Sequence, residues 1–136
     1  MTAGTAIQAS LTVPGLPDQV HAARMFVDKT LGESHPCTPI AVLLVSELVT
    51  NSVLHSESGH PGGMVTITVT AVAEVARVEV RDAGGATVPL PADADSELAE
   101  HGRGLRLVSD LADRWNYRRE EDGLVTWFEV TGESPA

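Results

Sequence analysis

Three short groups of residues are of types that do chemistry: Glu47-x-x-x-Asn51, Asp82-x-Gly84 and Gly102-x-Gly104-Leu105. The first says most. Glu47 and Asn51 lie in a stretch, residues 37 to 56, that reads as a helix, and four-residue spacing stacks them on one face of it. Thr38 suits the N-cap and Pro39 the first helical position. Ile40, Leu43, Leu44, Leu48 and Leu54 recur at three- and four-residue intervals and predict a core-facing stripe. A turn of about 100° per residue places Glu47 and Asn51 inside that stripe, flanked by Ile40, Leu44 and Leu54, with His55 at its edge. A carboxylate left there without a partner would cost on the order of several kcal/mol, so the pair is expected to face a polar cavity, a ligand or a bound ion. The competing structural account pairs Glu47 with a core arginine and Asn51 with a backbone group.

The other two groups say less by themselves. An Asp-x-Gly sequence is usually a turn. A glycine pair before a helix can hold phosphate, but Leu107 stands where a dinucleotide fingerprint needs its third glycine. There is no Gly-x-Ser-x-Gly elbow and no phosphate-loop lysine motif. Among the five histidines (His21, His35, His55, His60 and His101) no pair has i, i+4 spacing with an acid beside it, which argues against a dedicated zinc site.

These groups need elements to position them. Alternation over residues 6 to 13 predicts an opening strand that stops at Pro14-Gly15, and helical spacing over residues 17 to 31 predicts a first amphipathic helix ended by Gly32. After the helix bearing Glu47, the glycine-rich stretch 57 to 63 is a loop. Residues 64 to 72 and 75 to 81 alternate on either side of Ala73-Glu74 and predict a hairpin ending at Asp82. Residues 86 to 101 lack periodicity and read as a surface loop or lid, after which Gly102 to Arg114 is a third helix. A second hairpin follows around the acidic turn 120 to 123, with Trp115, Tyr117 and Trp127 as its core and rim. Strand, helix, helix, two strands, lid, helix, two strands is an α/β order. It predicts a two-layer sandwich, a mixed and mostly antiparallel sheet with helices on one face.

The totals narrow the function. At 136 residues and 43% hydrophobic the chain holds one domain, spanning 1–136, with residues 1–5 and 132–136 expected to be disordered. A net charge of -10, against nine Lys and Arg in all, argues against direct nucleic-acid binding and against an anionic membrane. One cysteine, Cys37, excludes an intramolecular disulfide, and no signal sequence or membrane span is evident, so a cytoplasmic location is expected.

Taken together and in this order, the three groups resemble the N, G1 and G2 boxes of the GHKL superfamily of ATPases and kinases, whose ATP-binding domain has the Bergerat fold. Residues 45 to 55, 78 to 85 and 102 to 108 carry the similarity, and it is closest to bacterial anti-sigma-factor serine/threonine kinases and their stand-alone ATP-binding relatives. The resemblance implies ATP and Mg²⁺ as cofactors. Asp82 would accept a hydrogen bond from the adenine amino group, with Gly84 letting the purine approach the backbone. Asn51 would ligate Mg²⁺ held by the phosphates. Backbone N–H groups of Gly102, Arg103, Gly104 and Leu105 would cradle phosphate, with Arg103 as an added charge. Glu47 would be the catalytic residue, orienting or deprotonating the attacking hydroxyl. The partners implied are proteins, a sigma factor or an anti-sigma antagonist, with a homodimer possible. The alternative function is a non-catalytic ATP-binding module that regulates transcription through protein contacts.

Overall fold

The computed structural model describes residues 6–55, 60–84 and 99–132, with side chains for all of these except His55 and residues 99–104. The elements are strand β1 (Ile7–Pro14), helix α1 (Val20–Leu31) after a short 3-10 turn, α2 (Thr38–His55), β2 (Met64–Val72), β3 (Val75–Asp82), α3 (Ala99–Leu111), β4 (Arg114–Glu120) and β5 (Gly123–Thr131). The strands form one sheet in the order β1-β2-β3-β5-β4. Every pairing is antiparallel, so among the described residues the sheet is not mixed. The two-layer α/β prediction otherwise stands.

Alternation of side chains builds the layers. Val65, Ile67, Val69 and Ala71 of β2, Ala76, Val78 and Val80 of β3, and Phe128 and Val130 of β5 all face the helices. They meet Ala23, Val27 and Leu31 of α1, Ala41, Leu44, Val45, Leu48 and Val49 of α2, and Leu105 and Val108 of α3 in one core. The opposite face carries Ser10, Thr12, Thr66 and Thr68, whose hydroxyls pair across strands at 2.9 and 2.8 Å, and then a field of arginine and glutamate on β3, β4 and β5. Trp127 lies on that face, not in the core, with the Arg77 guanidinium 4.0 Å from its ring centre.

The end of the sheet remote from Asp82 is pinned by the connection between α1 and α2. Cys37 donates through Sγ to the Glu74 carbonyl at 3.1 Å, and a ring nitrogen of His35 lies 3.0 Å from the Ala73 carbonyl. Thr38 is not the N-cap. It is already helical, and its hydroxyl donates to the Gly32 carbonyl at 2.6 Å, tying the end of α1 to the start of α2, while the Cys37 carbonyl accepts the first helical bond. Gly132 joins this corner: its N–H donates to the Glu74 carbonyl, and a Cβ there would run into the Pro36 side chain.

Two further expectations change. The apolar stripe of α2 was placed about one residue off. Ile40, Leu43 and Leu54 are 39%, 40% and 55% exposed, and the buried face is Ala41, Leu44, Val45, Leu48, Val49 and Ser52. α2 is apolar nearly all round, so spacing alone does not say which side meets the sheet. Glu47 and Asn51 therefore sit half-buried at the margin of the packed face. The other change is at α3, which begins at Ala99, so residues 99 to 101 are helical and not part of a lid. The rest of the expected lid, residues 86 to 98, lies outside the described residues.

Candidate functional site

Asp82 ends the row of β3 side chains that faces the helices, after the fully buried Ala76, Val78 and Val80, and it is itself buried, at 5% exposed. A carboxylate in that row needs donors. Two are built in: Ser52 Oγ donates to Oδ2 at 2.6 Å, and the Gly84 N–H donates to Oδ1 at 2.7 Å. Ser52 reaches Asp82 because it occupies the next position, at four-residue spacing, after Leu44 and Leu48 on the buried face of α2, and it is 3% exposed. Burial pushes the Asp82 carboxyl above the ordinary aspartate range; the Ser52 and Gly84 donors act the other way and do not overcome it. A carboxylate offers about four lone-pair positions, and these two bonds take one on each oxygen. Acceptor capacity remains for an N–H of a ligand.

Gly84 turns the chain at this strand end with φ of 76°, in the left-handed region that favours glycine. Space is not the reason for it, since a Cβ would meet Gly123 only at ordinary contact distance, 3.6 Å. Gly123 is the residue that space demands. A Cβ on it would lie 2.0 Å from the Asp82 carbonyl oxygen, so β5 can begin alongside Asp82 only with glycine there.

The contact between Ser52 and Asp82 fixes where the other candidates stand. Asn51 adjoins Ser52 on α2, and Glu47 is one turn further toward the helix start, about 6 Å along the axis. Both are half-buried. Leu105 and Val108 anchor α3 in the core. The described helix α3 already includes Ala99, so Gly102, Arg103, Gly104 and Leu105 lie within it rather than at its first residue. The Arg103 side chain lies outside the described residues, as does that of His55. Among the described residues no group of three or more His, Cys, Asp or Glu could hold a metal ion. No described helix is long and apolar enough to cross a membrane.

Sequence reasoning missed Ser52, Gly123 and Thr126. Thr126 is buried on the helix-facing row of β5, opposite Val80 and one diagonal step from Asp82. Thr38, Ser52, Asp82 and Thr126 are the buried polar residues of the described chain, and three of them belong to this corner. A serine in a row otherwise made of leucines was the available signal.

Comparison with known proteins agrees with this architecture. The chain is similar in fold to the RsbU and RsbW domains of Rv1364c from Mycobacterium tuberculosis, with a TM-score of 0.64 and 17% identity over 94% of this chain and 34% of that one. It is also similar to the histidine kinase domain of the blue-light activated histidine kinase EL346 from Erythrobacter litoralis, with a TM-score of 0.52 and 22% identity over 88% of this chain and 61% of that one. The chain thus spans about a third of the first and three fifths of the second. No curated protein sequence matches. The family described as histidine kinase-like ATPase domain matches residues 13–130, which takes in every element from the end of β1 to β5 and the whole corner around Asp82. The chain belongs to the family of histidine kinase-like ATPase domains.

Proposed function

We propose that this protein is a Mg²⁺-dependent ATP-binding regulator of the anti-sigma kinase type, which phosphorylates a serine or threonine on a partner protein and holds a second partner according to nucleotide state. The observation that carries the reading is the buried Asp82 carboxylate, fixed by Ser52 and Gly84 beneath the helix that bears Asn51 and Glu47. A buried acceptor of this kind complements the 6-amino group of adenine and opposes the 6-oxo group of guanine. Asn51, one residue from Ser52, would share with the phosphates the coordination of Mg²⁺, a hard ion that keeps several waters. When bound, Mg²⁺ would neutralise phosphate charge. Glu47 would receive or orient the proton of the attacking partner hydroxyl. The N–H groups of residues 102 to 105 would become phosphate donors once the first turn of α3 opens.

The wound first turn of α3 favours a second reading, in which ATP acts only as a switching ligand and nothing is transferred. Incubation with γ-labelled ATP and a captured partner separates the two. Native chain should label the partner, and Glu47→Ala should lower the rate by about 10²- to 10⁴-fold while nucleotide affinity stays within about threefold. Equal labelling by the variant would remove Glu47 from the chemistry. Tight nucleotide binding without any labelling would leave the switching module.

A further inference from the structure

The hydrogen bond from Ser52 to Asp82 sits where an apolar side chain would pack as well. Ser52 occupies the buried position after Leu44 and Leu48, and a hydroxyl there is unfavourable unless paired. It is paired with the one buried carboxylate of the described chain, at 2.6 Å. We propose that Ser52 is a positioning residue for base selectivity: by donating to Asp82 Oδ2 it holds the carboxylate as a hydrogen-bond acceptor of fixed orientation, so that the site takes 6-amino purines over 6-oxo purines. The inference rests on the adenine-nucleotide reading and adds to it the group that sets the polarity of the acceptor.

The chemistry follows from which atom carries hydrogen. With Ser52 donating to Oδ2 and Gly84 donating to Oδ1, both oxygens are held as acceptors, and what remains on them is acceptor capacity. An amino group can donate to it, whereas the carbonyl of hypoxanthine or guanine brings a second acceptor and is repelled. Remove the hydroxyl and Oδ2 is left buried with no donor from α2. The carboxyl is then free to rotate, and burial favours its uncharged form, which carries an O–H able to donate to a 6-oxo group. A carboxylate pinned by Gly84 alone would thus discriminate less. Selectivity of this kind is strong where a buried polar group would otherwise be left unpaired.

The test is isothermal titration of the native chain and Ser52→Ala with ADP and IDP, which share their phosphates and differ at the purine 6-position. Alanine is a better helix former than serine and fits the same space, so the variant should fold, and its unliganded thermal midpoint checks this. The native chain should prefer ADP, and Ser52→Ala should narrow the ADP-to-IDP ratio by about tenfold, chiefly through weaker ADP binding, as expected for loss of one hydrogen bond to a charged group. A native ratio near one would remove the adenine reading and this inference with it. An undiminished ratio in Ser52→Ala, or equal weakening of ADP and IDP, would overturn the inference alone, since a purely structural contact between α2 and β3 has no reason to distinguish the two bases.

Discussion

Asp82 and Glu129 are carboxylates on two adjacent strands of one sheet, and their surroundings push them in opposite directions. Asp82, on the helix-covered face, has no cation among its hydrogen-bond donors, and burial raises it. Glu129, on the open face, is lowered by the guanidinium of Arg114 and then by that of Arg77. The open face is a mesh: Arg77 also meets Glu79 at 3.0 Å, Arg118 bridges Glu79 at 3.2 Å and Glu120 at 2.8 Å, and Arg81 pairs with Glu120. There every described carboxylate is matched by arginine in contact with water, and such pairs add little stability each. The covered corner holds far less charge and more chemical capacity. A cluster of charges is therefore a poorer guide to a site than a single buried acceptor whose donors are neutral.

The comparison breaks first at Asp82. Asp82→Asn should abolish the thermal stabilisation by Mg-ATP, about 2.7 kcal/mol at a hundredfold excess over Kd and several degrees for a domain of this size, while the unliganded chain unfolds no more easily. Glu129→Gln should leave that ligand-induced shift intact. Loss of the shift in Glu129→Gln would mean that the open face reaches the site.

Gly123→Ala comes next, because it drives a Cβ against the Asp82 carbonyl. Overpacking of this kind should lower stability by about 1–3 kcal/mol in denaturant unfolding and should weaken nucleotide binding as well, since the displaced backbone carries Asp82. An unchanged unfolding midpoint would show that β5 can shift freely at its start.

The two carboxylates also predict opposite pH signatures. For Asp82, raised in the folded state, the favourable contribution is complete below its ordinary value of 3.8 and is lost as pH rises through the raised folded value. For Glu129, lowered in the folded state, the contribution is present above its ordinary 4.5 and is lost as pH falls through the lowered one. Stability measured against pH should therefore show Asp82→Asn gaining on the native chain as pH rises from acid to neutral. Glu129→Gln should lose ground to the native chain as pH rises through the acidic range below 4.5. Parallel profiles for the two variants would contradict the contrast between the faces. The smallest effect is the stability cost of Glu129→Gln at neutral pH, under about 1 kcal/mol in thermal unfolding, given the exposure of Arg114.

Much of the fold was legible because strand signals are local. Thr66, Thr68 and Thr70 alternate with Val65, Ile67 and Val69, and that spacing by itself places one set on each face and marks the strand from Met64 to Val72. Helix α2 was legible as a helix and illegible as a surface, since leucine, isoleucine and valine surround it and any of several faces satisfies the period. The glycines at 102 and 104 were read as a helix start, yet α3 starts at Ala99 and runs through both; packing of Leu105 and Val108 outweighs a propensity deficit of about 1 kcal/mol per glycine.

By itself, then, the sequence determined the order of elements and the hairpins, because each depends on residues close together in the chain. Only the tertiary structure decided which side of α2 is buried and that Ser52, thirty positions before Asp82, is the group that holds it. The physical reason is that a strand's two faces follow from alternation alone. The face an apolar helix buries, and the donor a buried carboxylate receives, follow from how layers distant in sequence pack against each other.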